Sequence, residues 1–136
     1  MDFAVLLGQA RETRANAYAP YSGFAVGAAL LTEDGTVFTG CNIENASYGL
    51  TVCAERVAML KAVSEGHRRF RAMAITAEGE DYCLPCGACR QLMIEFMTDV
   101  PVVLGKAGGE FRVVGIQELL PMAFLGKELM KGEQYE

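Results

Sequence analysis

Apolar and polar positions change their period along this chain, and the changes mark its elements. Over residues 3–17 the apolar positions Phe3, Leu6, Leu7, Ala10 and Ala17 recur at helical spacing, with Gln9, Glu12, Thr13 and Asn16 on the other side. The stretch Tyr18-Ala19-Pro20-Tyr21-Ser22-Gly23 ends that helix, because proline disfavours helical geometry in the residue before it. Two runs of small and branched apolar residues follow, 24–32 and 37–43, joined by Glu33-Asp34-Gly35-Thr36. Asp-Gly readily supplies the positive φ of a tight turn, so the pair predicts an antiparallel hairpin.

After a polar stretch at 44–52, helical spacing returns over 53–65. Here it is apolar nearly all round, with Ala54, Val57, Ala58, Met59, Leu60, Ala62 and Val63, which predicts burial on more than one side. Gly66 is placed to cap its end. Residues 70–77 form a near-continuous apolar run, the pattern of a strand covered on both faces. A loop at 78–84 leads to a second core helix, 86–97, marked by Cys89, Leu92, Met93 and Phe96. Short strands at 101–104 and 111–114 flank a turn at 106–110, and a short helix at 116–120 is interrupted by Pro121. With no repeat or linker, this order predicts one domain over residues 1–136. The fold class is α/β: a three-layer α/β/α sandwich around a mixed five-stranded sheet whose middle portion is parallel.

Composition narrows the partners. A 51% hydrophobic and 21% charged chain of 136 residues is a folded globular protein. Its net charge is −5, and its densest basic run, Arg68-Arg69-Phe70-Arg71, leads into a predicted strand. A polynucleotide needs a basic stripe, so no nucleic-acid partner is expected and a small neutral substrate is. The apolar run at 3–7 is too short, and lacks the basic flank, for an export signal. No apolar stretch approaches the ~20 residues that span a bilayer. A cytoplasmic protein with no membrane partner is expected, and its five cysteines do not read as a disulfide framework.

Those cysteines carry the chemistry. Cys53-Ala54-Glu55-Arg56 and Pro85-Cys86-Gly87-Ala88-Cys89-Arg90 offer three thiols, a carboxylate and two arginines. Three ligands and an open fourth position is the arrangement of a catalytic zinc. Cys53, Cys86 and Cys89 are the expected metal ligands, and Glu55 is the expected general base and acid. Helix starts lower a thiol's pKa, which favours the thiolate that binds metal. Residues two apart do not share a helix face. Cys53 and Glu55 can therefore address one ion only if Cys53 sits where the helix is not yet regular. Three thiolates on Zn²⁺ leave a charge of −1, which Arg56 and Arg90 are placed to offset by hydrogen bonding to the sulfurs. Cys83 with Cys53, Cys86 and Cys89 makes a closed four-thiolate structural site the non-enzymatic alternative. Cys41 reads as an ordinary buried thiol and His67 as a solvated loop residue.

A ligand, one residue, Glu, and later Pro-Cys-x-x-Cys is the zinc-deaminase signature in its three-cysteine form. With Ala17-Tyr18-Ala19-Pro20-Tyr21-Ser22, Val26-Gly27-Ala28-Ala29-Leu30 and Gly40-Cys41-Asn42-Ile43-Glu44-Asn45-Ala46, the chain resembles the small homotetrameric zinc-dependent cytidine deaminases over almost its whole length. That resemblance implies one Zn²⁺ per subunit and hydrolytic deamination of cytidine and deoxycytidine in pyrimidine salvage. It implies that Phe24 packs on the nucleoside, that Asn42 and Glu44 bond the ribose, and that Ala54 and Leu84 offer backbone groups to the base. It also implies a homotetramer in which Ala46, Tyr48 and Phe124 complete a neighbour's site. A deaminase of a cytosine-nucleoside antibiotic of the blasticidin type resembles the segment Thr51-Val52-Cys53-Ala54-Glu55 as well. The segments around Tyr18 and Asn42 favour the plain nucleoside, and Glu44 beside the sugar would repel a nucleotide's phosphate.

Overall fold

A computed structural model describes residues 1–129, so the last seven positions of the expected 1–136 domain, 130–136, lie outside the described residues. Helix α1 (Phe3–Thr13) starts at Asp2, whose carboxylate accepts the Ala4 N–H at 2.7 Å, and runs on through one 3₁₀ turn at Arg14–Asn16. Strands β1 (Val26–Thr32) and β2 (Val37–Cys41) form the expected antiparallel hairpin, with Gly35 at φ 94° in the turn. Helix α2 (Ala54–Ser64), strand β3 (Phe70–Ala77), helix α3 (Gly87–Phe96) and strands β4 (Pro101–Gly105) and β5 (Phe111–Gly115) follow, then the single turn α4 (Ile116–Leu119).

The sheet order is β2-β1-β3-β4-β5. Among the five described strands only β3 and β4 pair in parallel, and α3 lies in the connection between them. Antiparallel pairing joins β1 to β2, β1 to β3 and β4 to β5. Alternate side chains of the apolar strands are buried on opposite faces. Ala29, Leu31, Ala72, Ala74 and Val103 pack with Leu6, Leu7 and Ala10 of α1. Ala28, Leu30, Met73, Ile75, Val102 and Leu104 pack with Ala58, Met59 and Ala62 of α2 and Met93 and Ile94 of α3. The three-layer sandwich around a mixed five-stranded sheet is therefore the fold.

Helix α2 is seated on β2 at Gly40. A side chain there would put its Cβ 2.4 Å from the Ala54 carbonyl oxygen and 2.6 Å from the Ala58 amide nitrogen. Only glycine lets the two backbones approach so closely. The face that α2 buries is made of Ala54, Glu55, Ala58, Met59 and Ala62, whereas Leu60 is 49% exposed. Burial of α2 on more than one side is thus not met within one chain. Small alanines seat the helix on the sheet and leave the longer Leu60 turned outward.

Other boundaries moved for local reasons. Strand β1 starts at Val26 rather than Phe24, because the Asn42 side chain takes the place of the sheet ladder. Its Oδ1 accepts the Val26 N–H at 2.9 Å and its Nδ2 donates to the Phe24 carbonyl at 2.8 Å. Strand β2 stops at Cys41, and Ile43 pairs instead with Tyr18 and Val52. Cys41 is half-buried rather than buried. His67 is also half-buried, its imidazole meeting the Phe38 ring edge-on with centroids 5.1 Å apart.

Candidate metal and active site

The ends of two helices build the centre. Val52 is fixed by its paired backbone hydrogen bonds with Ile43, both 2.9 Å. The next residue, Cys53, has extended dihedrals (φ −73°, ψ 155°) and caps α2, while its carbonyl accepts the Val57 N–H at 3.1 Å. This irregular position is what lets Cys53 and Glu55 face the same cavity, as the sequence required. Cys86 caps α3 in the same way (φ −69°, ψ 167°), and its sulfur accepts the Cys89 N–H at 3.4 Å. Both cap cysteines thus sit at the positive ends of their helices.

The sulfurs of Cys53, Cys86 and Cys89 lie within 4.8 Å of one another. Cys53 and Cys86 are 3.8 Å apart, Cys86 and Cys89 3.4 Å. A tetrahedral zinc with Zn–S bonds of about 2.3 Å separates its sulfurs by about 3.8 Å, so the donor set fits that ion. Its electrostatics point the same way. Hydrogen bonds from Cys89, then Cys86 and Arg56, pull the Cys53 thiol down to about 5. Donating to Cys53, together with burial, pushes the Cys89 thiol up. Three sulfurs this close cannot all ionise unless a cation shares them. Cys53, Cys86 and Cys89 are therefore positioned to hold a metal ion. Cys83 stays outside this set, which removes the four-thiolate cluster from the described residues.

Glu55 is 4% exposed in the first turn of α2. Burial, with a smaller contribution from the Cys53 charge, pushes its carboxyl up to about 7. It lines a cavity of about 240 Å³ together with Cys53, Cys86, Ala54, Cys83, Ser22, Asn42, Glu44 and Thr51. Phe24, Val26 and Leu84 complete the walls. Glu44 is held ready: its carboxylate accepts the Tyr21 and Ser22 N–H groups at 3.0 and 3.1 Å and the Ser22 hydroxyl. The Ser22 hydroxyl is also what keeps this carboxyl below its ordinary range.

The structure thus gathers Phe24, Asn42, Glu44, Ala54, Glu55 and Leu84 around one cavity. Ala46, Tyr48 and Phe124 do not line it. Tyr48 is 75% exposed and meets Tyr21 edge-on at 6.1 Å, Ala46 is exposed, and Phe124 is half-exposed, its carbonyl accepting from Gln91 at 2.8 Å. Arg56 takes its expected place, donating to the Thr51 carbonyl at 3.0 Å and the Cys53 sulfur at 4.0 Å. Arg90 does not. Its guanidinium donates to the carbonyls of Pro85 (2.8 Å) and Leu119 (2.7 Å), so it braces the ligand loop rather than a sulfur. Sequence reasoning missed Ser22, Thr51 and Val26. Only the turn residues around Pro20 hinted at Ser22, and nothing local marks the other two.

Residues 4–105 match the model of the cytidine and deoxycytidylate deaminase zinc-binding region. Over 130 residues the chain is 50% identical to the cytidine deaminase of Halalkalibacterium halodurans and 48% identical to that of Sporosarcina psychrophila. These alignments cover 95% of this chain in each case, and 98% and 96% of the relatives. The crystal structure of cytidine deaminase from Burkholderia pseudomallei is similar to 91% of this chain and all of that one, with a TM-score of 0.89 at 50% identity.

Proposed function

The chain belongs to the cytidine and deoxycytidylate deaminase family, and from that premise we propose that it hydrolyses cytidine and deoxycytidine to uridine and deoxyuridine, releasing ammonia. One observation carries the reading: the Glu55 carboxyl is buried in the wall of the same small cavity that presents Cys53 and Cys86 of the metal-fitting thiol cluster. Zinc held by Cys53, Cys86 and Cys89 supplies Lewis acidity that makes water a nucleophile near neutral pH.

The chain's own residues do the rest. Glu55, with a carboxyl held near 7, is suited both to accept and to return a proton. It takes one proton from the attacking water and passes it to ring N3. It carries the second to the exocyclic nitrogen, which leaves C4 as ammonia while the carbonyl forms. Asn42 and Glu44 engage the ribose hydroxyls, Phe24 packs against the nucleoside, and the backbones of Ala54 and Leu84 hold the base. Arg56 steadies the Cys53 thiolate and Arg90 the loop that carries Cys86. The Glu44 carboxylate in the cavity, engaging the sugar in this reading, supports a nucleoside rather than a phosphorylated substrate.

The assembly we propose is a homotetramer. Exposure of Leu60 on α2, of Tyr48 and of Phe124 supports it, since each is a large apolar side chain left exposed among the described residues. Ala46, Tyr48 and Phe124 then complete the site of a neighbouring subunit. No helix among the described residues is long and apolar enough to cross a membrane. A cytoplasmic role in pyrimidine salvage is part of the same proposal.

The test is loss of cytidine absorbance and release of ammonia by zinc-loaded protein, beside Glu55→Gln with its zinc content measured. The variant is expected to keep its zinc and lose at least the 10²–10⁴-fold that proton transfer contributes. Zinc-loaded wild type that leaves both nucleosides untouched would overturn the reading.

A further inference from the structure

Cys83 is a thiol that neither the metal cluster nor the proton transfer uses, yet it faces the cavity beside Glu55. It is half-buried and packs against the main hydrophobic core, so it is a fixed wall rather than a mobile loop side chain. Burial comes first in pushing its thiol up to about 12, with the nearby Glu55 and Cys53 charges adding to it, so Cys83 presents a neutral thiol. Cys83 lines the same cavity as Glu55 and Cys53 and is close enough to feel both charges, and in the deaminase reading those two residues serve the reacting part of the base, so Cys83 is a wall beside the base.

We propose that Cys83 is a specificity-determining residue: its side chain limits the substituents that the pyrimidine may carry at the ring edge next to the reacting carbon. The inference rests on the deaminase reading above. Carbon C4 has two ring neighbours. N3 belongs to Glu55, which must protonate it, and the edge left for a side-chain wall is C5. The other apolar lining residues are otherwise committed: Ala54 has no accessible surface, Val26 is held in β1, and in the deaminase reading Phe24 packs on the nucleoside and Leu84 offers its backbone. Cys83 is thus the wall residue that sets room for a C5 group without touching the metal ligands' own positions in the sequence. One methylene more or less in such a wall shifts discrimination about 10-fold or more.

The experiment compares zinc-loaded wild type, Cys83→Ala and Cys83→Val on cytidine, 5-methylcytidine and deoxycytidine. Within each protein the kcat/KM ratio of 5-methylcytidine to cytidine is the readout, so a general loss of activity cancels. The ratio should rise about 10-fold in Cys83→Ala and fall in Cys83→Val, while the ratio of deoxycytidine to cytidine stays put. Calorimetric affinities for 5-methyluridine against uridine should follow the same order. If the methyl ratio is unchanged in both variants while wild type turns over cytidine, Cys83 does not bound that edge and the proposal fails alone. If both ratios move together, the residue acts on the site as a whole and the proposal fails too. Inactive zinc-loaded wild type would instead sink the deaminase reading, and this inference with it.

Discussion

Replacing Gly40 with alanine tests how the metal centre is held by the fold. The new Cβ would stand 2.4 Å from the Ala54 oxygen, 2.6 Å from the Ala58 nitrogen and 3.0 Å from the Val57 Cβ. The two shortest contacts are to backbone of α2, so no flexible side chain can swing away. Restoring an ordinary contact of 3.4 Å demands that the start of α2 retreat from β2 by about 1 Å. That movement displaces Cys53, Ala54 and Glu55 relative to Cys86 and Cys89, which belong to the start of α3. Overpacking of this kind costs about 1–3 kcal/mol. At roughly 4 °C per kcal/mol for a domain of this size, the thermal midpoint should fall by roughly 4–12 °C. A misplacement of ~1 Å at a reacting centre costs on the order of 10²-fold in rate.

The assay is thermal unfolding of zinc-loaded protein, zinc content by competition with a chromogenic chelator, and kcat/KM on cytidine. Gly8→Ala serves as the contrast. Gly8 lies inside α1, where an added Cβ meets nothing within 4 Å, and alanine there should stabilise by roughly 0.5–1 kcal/mol. If Gly40→Ala melts at the wild-type temperature and turns over cytidine at the wild-type rate, α2 is not clamped on β2 and the reasoning fails.

Two further outcomes follow from the arginines and the hairpin. Arg56→Met removes the donor to the Cys53 sulfur and should weaken zinc affinity roughly 10–100-fold in chelator competition. Arg90→Met strips a donor from the Pro85 and Leu119 carbonyls and should instead appear in urea unfolding, as a loss of about 1–3 kcal/mol. In the hairpin, the Thr32 hydroxyl first, then the Thr36 hydroxyl and N–H, hold the Asp34 carboxyl down at about 2. Because the folded value lies below the ordinary one of 3.8, Asp34's contribution is complete above about pH 4 and lost as pH falls through 2. The thermal-midpoint gap between wild type and Asp34→Ala should therefore close between pH 5 and pH 2, and a constant gap would contradict the shift.

The metal ligands and Glu55 were legible because their geometry is local. A cysteine at one helix start, a glutamate two residues on, and a cysteine pair three apart at the next helix start place themselves once the helices are placed. The burial of β3 on both faces was legible for the same reason, since its near-continuous apolar run leaves almost no polar face. What failed to show was the reach of long side chains. Arg90 stands next to Cys89 in sequence, but its guanidinium finds a carbonyl at Leu119, 29 positions away. The start of β1 hangs on the Asn42 amide, 16 positions on from Val26, which no period in the strand reveals. The outward face of α2 was equally hidden. Ala58 and Leu60 are both apolar, and only the close seat at Gly40 decides which of them meets the sheet.

Cys53 and Cys86, which cap α2 and α3, are 33 positions apart in the chain. An ion shared by their sulfurs closes that stretch into a ring, and the ring contains all of α2 and β3. In the unfolded ensemble such a closure removes conformational entropy worth on the order of 4 kcal/mol by the chain-entropy account of a covalent cross-link. The catalytic ion is then also a staple between the hairpin half of the molecule, β1-β2-α2, and the half that follows β3. Loading the site and completing the fold become one linked equilibrium, so free zinc sets how much of the protein is folded as well as how much of it is active.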